Sequence, residues 1–265
     1  MNEFEIAEWV KASAGIEPWW PAVEPTPRRV RVRLGATVIA DSKRAQLLIQ
    51  YGPPPMLPTY YFPMVDVQAS ALVDPIQSAD GSISWSVQGA GRRVEGGAWT
   101  HPRPERLLTG IADMVSFTWN DRLEWLEEEE VLFAHARDPH KRVDVVPSSR
   151  HVRVSIGGVD VAESHRPVLL FETMLPTRFY LPAEDVRTES LVPSGTVTQC
   201  PYKGTATHWS VEVNGELHRN VAWAYPDPVP ENPRIRDLIC FYNEHVDLVV
   251  DGEAIARPTT PWSAG

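Results

Sequence analysis

The stretch Val-Arg-Val-Arg-Leu-Gly-Ala-Thr-Val-Ile-Ala, residues 30–40, decides the fold, because a similar stretch returns later in the chain. That second stretch is Val-Arg-Val-Ser-Ile-Gly-Gly-Val-Asp-Val-Ala, residues 152–162. In both, apolar residues alternate with other residues on either side of a glycine turn. Such alternation is typical of strands that bury one face, and the turn between them is typical of a hairpin. The sequence therefore contains an internal repeat that begins with a β-hairpin.

The match continues through the rest of each half with small shifts, as insertions in surface turns would produce. This agreement predicts two homologous tandem domains. The shared features are a Leu-Pro-Thr turn, an Asp-Val pair, a Trp-Ser-Val strand, an Ala-Trp strand and a phenylalanine, at residues 57–59, 66–67, 85–87, 98–99 and 117 in the first copy and at residues 175–177, 185–186, 209–211, 222–223 and 241 in the second.

The repeat also predicts the fold class and the domain boundaries. The expected fold class is mainly β, since each copy consists mostly of short alternating stretches between turn residues. One short helix is expected near the end of each copy, starting at Arg103 and at Pro228, because prolines and an acidic residue precede apolar residues at helical spacing. The expected segments are an N-terminal arm at 1–27, a degenerate first repeat domain at 28–130, a second repeat domain at 131–255 and a flexible tail at 256–265.

Composition limits the partners and the compartment. A chain of 265 residues with 43% hydrophobic residues can bury a core, and its formal net charge of -10 repels phosphate backbones. We therefore expect no nucleic acid partner. Two cysteines do not suggest a secreted disulfide scaffold, and the sequence shows neither a signal peptide nor a long apolar run. These features predict a soluble cytoplasmic protein without a membrane partner.

The two copies differ at one segment that carries reactive groups. Where the second copy has Cys-Pro-Tyr-Lys-Gly at residues 200–204, the first has Ile-Gln-Ser-Ala-Asp-Gly at residues 76–81, without a thiol, phenol or amine. A fold needs the residues that both copies keep, whereas a site can be lost from one copy. We infer one functional site, in the second copy. The alternative is that the first copy has a different site, which uses His101 and Asp66.

Cys200 and Lys203 are the candidate catalytic residues. They lie on either side of a proline turn, and a nearby ammonium group lowers the pKa of a thiol and makes it a better nucleophile. One alternative is a cysteine that packs as a small apolar residue. The others are a lysine that binds a ligand anion, or one that pairs with Asp185 or Glu172 in a structural ion pair.

The candidate ligand-binding residues are Tyr202, Arg187, Asp185, Tyr225, Trp209 and Trp223. Aromatic rings wall an apolar slot in many small-molecule sites, and an arginine offers two donors to an anion. Core packing is the alternative for the two tryptophans, because the first copy also has them, and a turn or cap role is the alternative for Asp185. His208 is expected to face solvent, because it alternates on a strand with Trp209, which takes the inner face.

Three motifs of the second copy together resemble the bacterial domain-of-unknown-function family 427. They are Cys-Pro-Tyr-Lys-Gly followed by Trp209, Ala-Trp-Ala-Tyr-Pro-Asp-Pro at 222–228, and Phe-Glu at 171–172 with Tyr-Leu-Pro-Ala-Glu-Asp-Val-Arg at 180–187. The resemblance implies small domains with tent-like or barrel-like sheets around a ligand pocket. A label that suggests nucleotidyl transfer is attached to the family. The sequence has neither spaced aspartates for two metals nor a phosphate-binding glycine loop, so it does not support that label.

These observations favour a protein whose second repeat binds a small polar or anionic molecule. Two alternatives stay open: an enzyme of transferase or hydrolase type that uses Cys200 or Lys203, and an interaction scaffold that presents Trp19 and Trp20. The sequence names no cofactor and no oligomeric state. We expect no metal site from ligand spacing, although five histidines are available to meet in space: His101, His135, His140, His151 and His165.

Overall fold

The computed structural model describes residues 20–51, 56–101, 110–260 and 262–263. The described residues form two compact units, divided between Asp138 and Pro139. Residues 1–19 of the expected arm, with Trp19, and most of the helix expected from Arg103 lie outside the described residues. Within the described ranges, no helix has the length and apolar character needed to cross a membrane.

The first unit contains two antiparallel sheets. Its described strands are β1 (Trp20–Pro25), β2 (Val30–Leu34), β3 (Thr37–Ser42), β4 (Gln46–Tyr51), β5 (Met56–Pro63), β6 (Leu72–Gln77), β7 (Ile83–Gly89), β8 (Arg92–Thr100), β9 (Met114–Phe117), β10 (Leu123–Glu127) and β11 (Glu130–Leu132). The seven-stranded sheet has the order β1-β4-β5-β9-β8-β7-β6, and the four-stranded sheet has the order β11-β10-β2-β3. Since β1 pairs with β4, part of the segment expected to be an arm belongs to the larger sheet.

The second unit repeats this arrangement. Its strands are β12 (Val143–Pro147), β13 (Val152–Ile156), β14 (Val159–Ser164), β15 (Val168–Glu172), β16 (Arg178–Leu181), β17 (Leu191–Cys200), β18 (Gly204–Val213), β19 (Glu216–Pro228), β20 (Ile239–Phe241), β21 (Asp247–Val250) and β22 (Glu253–Ile255). The sheet orders are β12-β15-β16-β20-β19-β18-β17 and β14-β13-β21-β22. When β12 is counted as the first strand, both sheets have the same strand order as in the first unit; the smaller sheet is written here from its opposite edge. The predicted mainly β fold of two homologous tandem domains is confirmed.

The repeated hairpin supplies the centre of each core. On β2, Val30, Val32 and Leu34 are completely buried and alternate with two partly exposed arginines. The matching positions of β13 are buried as well. In each unit these residues belong to an apolar cluster that draws side chains from both sheets. Burial of one face of the hairpin therefore packs the smaller sheet onto the larger one.

The central strands of the seven-stranded sheet of the second unit are buried on both faces. Leu169 belongs to the cluster between the sheets, called here the inner cluster, whereas Leu170 belongs to a separate outer cluster on the opposite face. All four residues of β16 are buried, as expected when successive side chains enter two apolar layers. His208 lies near the ring of Tyr242 on the outer side and is only 5% exposed. The expectation that His208 faces solvent is wrong, because this face has an apolar layer of its own.

The short helix expected after Pro228 is a 3-10 turn of three residues, Pro233–Ile235. Beyond the turn, the backbone runs beside β19: Arg236 forms a bridge with Tyr225, and the Asp237 amide donates to the Tyr225 carbonyl at 3.2 Å. Asp237 has a positive φ of 58°, outside the range of a right-handed helix. The spacing of apolar residues predicted a longer helix. It carries no information about β19, whose backbone provides this segment with other hydrogen-bond partners.

Both units hold the same polar contacts at one aspartate. Ser42 Oγ donates to Asp66 at 2.7 Å, and the Arg44 guanidinium pairs with Asp66 at 2.6 Å. In the second unit Asp185 accepts the same two contacts, at 2.7 and 3.0 Å, from the serine and arginine at the matching positions. Contacts that both repeats keep favour the structural role for Asp185.

The Leu-Pro-Thr match is out of register by one residue. The rings of Tyr61 and Tyr180 each lie edge-on to the matching tryptophan, so these two tyrosines are equivalent. Leu57 lies four residues before its tyrosine, whereas Leu175 lies five residues before its own. The equivalence of the surrounding strands is unaffected.

We expect Asp66→Asn and Asp185→Asn to lower the free energy of unfolding by similar small amounts at pH 7. Burial acts to raise the pKa of Asp66, but hydrogen bonds from Arg44 and Ser42 outweigh it and lower the pKa, while hydrogen bonds from Arg166 dominate and lower the pKa of Asp185. A carboxyl group whose pKa is lowered by folding stabilises the fold above the ordinary aspartate range, and this contribution is lost as the pH falls. Urea unfolding at pH 7 and at pH 3 measures the effect. A loss confined to one of the two aspartates would contradict a shared structural role.

Candidate functional site

The turn between β17 and β18 brings the predicted reactive residues to the end of the larger sheet. The Lys203 amide donates to the Cys200 carbonyl at 3.2 Å and closes the turn, and the Val229 amide donates to the Lys203 carbonyl at 3.1 Å. Gly204 has a φ of +113°, and a Cβ atom there would lie 2.9 Å from the Asp227 carbonyl oxygen. Glycine is therefore required where the turn meets the end of β19.

Lys203 and Lys141 both bind the carboxylate of Glu172. Glu172 ends β15 and is 5% exposed, Lys203 Nζ donates to its Oε2, and Lys141 Nζ lies 3.1 Å from its Oε1. Burial alone would raise the pKa of Glu172, but attraction to the two ammonium groups and their hydrogen bonds lower the pKa below its ordinary value. Glu172 is thus the ion-pair partner of Lys203, one of the two partners proposed from the sequence.

Tyr202 connects this lysine pair to a groove. Lys141 Nζ lies 5.6 Å from the centre of the Tyr202 ring, within cation–π range. The Asn232 side chain donates to the Tyr202 carbonyl at 2.7 Å. Asn232 also lines an open groove of about 400 Å³, together with residues 143–145 and the rest of 230–234.

Trp223 and Tyr225 belong to the outer cluster. Trp223 Nε1 donates to Tyr180 Oη at 3.1 Å, and the two rings are edge-on at 6.2 Å. The first unit has the same edge-on pair between Tyr61 and Trp99, so Trp223 is part of packing that both repeats share. Burial first, then the nearby Cys200 and Glu172, raises the pKa of the Tyr225 hydroxyl, which therefore stays protonated.

The two cysteines lie in different surroundings. Cys240 is completely buried in the outer cluster, and burial raises the pKa of its thiol to about 12. Cys200, at the end of β17, is partly exposed. The Lys203 ammonium group donates a hydrogen bond to Glu172. The turn therefore does not direct this group toward the Cys200 thiol, contrary to the assumption of the nucleophile hypothesis.

The remaining candidates lie elsewhere on the domain. Trp209 packs against the inner cluster, on the opposite face of the sheet from Trp223. Asp185 is held at the end of β14 by Ser164 and Arg166. Arg187 is exposed, and its amide donates to the Val161 carbonyl of β14 at 2.9 Å. The structure therefore gathers Cys200, Tyr202, Lys203, Trp223 and Tyr225 on one side and leaves these three apart.

A second buried ion pair was missed by the sequence reading. Arg178 at the start of β16 makes two hydrogen bonds to Glu244, at 2.7 and 2.8 Å, and both residues are buried. Thr260 Oγ1 donates to the same carboxylate at 2.6 Å, so part of the expected flexible tail contacts the second unit. Arg178 Cζ also lies between 5.6 and 5.8 Å from the centres of three rings, those of Trp223, Tyr242 and Trp262.

Lys141 was also missed. It precedes β12, far from Lys203 in sequence, and reaches Glu172 only because β12 pairs with β15. The sequence did hold one signal that could have drawn attention to Lys141, which is that lysine is scarce: the chain has only four, at positions 11, 43, 141 and 203.

Comparison with known families agrees with this two-unit structure. The family model NTP_transf_9, described as a domain of unknown function (DUF427), matches residues 22–129 and residues 144–252. The first match lies within the first compact unit and the second match within the second. A search of the curated proteins found no match.

We expect Glu172→Gln, which installs the residue found at the matching position 50 of the first repeat, to lower the free energy of unfolding by about 3 kcal/mol. The substitution leaves two largely buried ammonium groups without their carboxylate. Urea unfolding measures the loss, with the exposed Glu212→Gln on β18 as the control. Adding Lys203→Met should recover part of the stability, since it removes one of the two cations. Equal stability of the Glu172 and Glu212 variants would contradict a structural role for this cluster.

We expect a thiol reagent to label Cys200 alone in the folded protein, because burial and a raised pKa protect Cys240. Absorbance of the released thiolate of Ellman's reagent at neutral pH counts the reactive cysteines. Cys240→Ser should leave the folded-state signal unchanged, and Cys200→Ser should remove it until denaturant is added. A folded protein in which Cys200 does not react would eliminate the covalent cysteine alternative.

Proposed function

The chain belongs to the DUF427 family, a domain of unknown function, in both of its halves, and from this premise we propose that its second repeat binds a small anionic molecule at Lys141 and Lys203. The observation that carries the proposal is that two ammonium groups share one buried carboxylate. These three charged groups lie beside an open groove of the same unit.

The balance of charge favours an anionic ligand. One carboxylate neutralises one ammonium group, so the cluster of Lys141, Glu172 and Lys203 carries a net positive charge. Placing a charge out of water costs free energy unless an opposite charge or hydrogen bonds compensate. The Lys141 side chain is 23% exposed and that of Lys203 is 13% exposed, so an anion in solvent can approach Lys141 first. A carboxylate or phosphate group would supply the missing negative charge.

The groove indicates what the rest of the ligand is like. Its polar side chains include Asp144, which pairs with Arg142 at 3.0 Å, and Arg234, which donates to the Val145 carbonyl at 2.9 Å. Together with the Asn232 side chain, these groups suit a polar molecule better than a purely apolar one. We therefore infer a small polar ligand whose anionic group contacts the lysine pair.

The site is specific to the second repeat. The first repeat has Gln50 in place of Glu172 and lacks an amine in the segment 76–81 that replaces the Cys-Pro-Tyr-Lys-Gly turn. The alternative site of the first repeat loses support at Asp66, whose carboxylate is engaged by Ser42 and Arg44 as the matching aspartate is in the second unit.

Covalent catalysis is a weaker proposal on this geometry. An ammonium group in an ion pair has no lone pair with which to attack a carbonyl carbon, so Lys203 suits binding better than nucleophilic chemistry. The reactive group left for an enzyme is Cys200. The absence of a nucleic acid partner stays a prediction, based on the net charge of -10.

We expect sodium phosphate to raise the thermal transition temperature of the protein more than sodium chloride does at equal ionic strength. At a ligand concentration ten times its dissociation constant, binding stabilises the folded state by about 1.4 kcal/mol. Lys141→Met should abolish the difference between the two salts, because it removes the more accessible ammonium group. Acetate, tested in the same way, distinguishes a carboxylate site from a phosphate site.

Lys43→Met is the matched control for this experiment, because Lys43 is exposed and lies in the first unit. It should keep the full response to phosphate. If all three proteins respond equally, or if neither phosphate nor acetate acts beyond chloride, the lysine pair is a structural element and the proposal is wrong.

A further inference from the structure

Three potential metal ligands converge at the open end of the β13–β14 hairpin. His151 immediately precedes β13, Glu163 lies in β14, and His165 immediately follows β14. Val152 pairs with Ser164, so the same register sets His151 opposite His165. Residues two apart on a strand share a face, and diagonal neighbours across an antiparallel pair are within reach of long side chains. The hairpin geometry therefore directs all three side chains to one face.

The side-chain atoms are close enough to act together. His151 Nε2 lies 2.7 Å from Glu163 Oε1, and the two imidazole rings stack at 4.1 Å with an angle of 12°. One ligand atom from each residue lies within 4.8 Å of the others. We propose that His151, Glu163 and His165 bind a divalent metal ion of the zinc type, independently of the anion site.

The donor set suits such an ion. Two imidazole nitrogens and one carboxylate oxygen are the protein ligands of many zinc sites that keep a fourth position open, and the same set binds other first-row metals. Two more carboxylates interact electrostatically with the imidazoles, Asp185 with His165 and Asp251 with His151. Each of them is itself paired with an arginine, Asp185 with Arg166 and Asp251 with Arg150, so the negative charge that favours a cation comes from Glu163. All three ligands are at least partly exposed, so small side-chain rotations suffice to close the ligand distances around an ion.

The first repeat shows that the fold does not require these imidazoles. At the matching positions it has Arg29, Asp41 and Lys43. Arg29 Nε donates to Asp41 at 2.7 Å, so an ordinary ion pair occupies the diagonal that the second repeat gives to His151 and Glu163. Both cationic side chains of the first repeat, which repel metal ions, are thus replaced by histidines in the second. The acid is kept.

This cluster goes beyond the sequence-based expectation of no metal site. Glu163 and His165 are separated by a single residue, and His151 lies more than ten residues before them. That spacing matches no common zinc motif, so a scan for such motifs passes over it. The hairpin register brings the three together.

Isothermal titration calorimetry with zinc chloride tests the proposal on the full chain without a polyhistidine tag. We expect one zinc ion per chain. His165→Lys and His151→Arg each install the residue of the first repeat, so the hairpin stays folded, and each should weaken binding at least about tenfold. His218→Lys, on β19, is the control and should bind zinc as the wild type does.

Long-range ¹H–¹⁵N spectra of the imidazoles identify the ligands directly. Zinc should shift the ring nitrogens of His151 and His165 in the wild type. Absence of binding, binding that survives both hairpin substitutions, or shifts confined to other histidines would each overturn the proposal. None of these outcomes bears on the phosphate response at Lys141, so the two proposals fail separately.

Discussion

The structure of the second repeat depends on one constraint, which is that the central strands of its larger sheet are buried on both faces. Strand β16 is buried at all four positions, and neighbouring residues on β15 enter different apolar clusters. A charged group on such a sheet loses much of its hydration and needs compensating partners. The charges on the outer side follow this rule, since Glu172 binds two lysines and Arg178 binds Glu244. The outer layer thus explains both why the candidate site is built from ion pairs and why His208 is buried.

The internal repeat separates contacts that the fold needs from those that it tolerates. The serine and arginine contacts to Asp66 and Asp185 occur in both units, as do the edge-on pairs of tyrosine and tryptophan. Glu172, by contrast, is replaced by Gln50 in a strand with the same sheet position. A sheet of this topology therefore forms without the charged cluster, which is specific to the second repeat.

The sequence predicted those features that depend on local periodicity. Alternation along residues 30–40 and 152–162 is a property of neighbouring residues, so the hairpins, the β class and the two homologous domains followed from it. It did not predict features that arise from long-range pairing. Lys141 reaches Glu172 only through the pairing of β12 with β15, and the segment after Pro233 leaves the helical path because β19 binds its backbone. Nor did it show that Trp209 and Trp223, both candidate ligand-binding residues, lie on opposite faces of the sheet.

The two ion clusters of the outer side differ in charge balance and in exposure, and this difference is why we propose a ligand site at only one of them. Arg178 meets Glu244 with two hydrogen bonds, one cation to one anion, and the hydroxyl of Thr260 and three aromatic rings complete its surroundings. That cluster is balanced and enclosed. An ammonium group has three donors, and Glu172 accepts hydrogen bonds from both Lys203 and Lys141 while balancing the charge of only one. Because Lys141 is also partly exposed beside a groove, the anion that we propose would gain both charge neutralisation and hydrogen bonds there, and it would gain neither at Arg178.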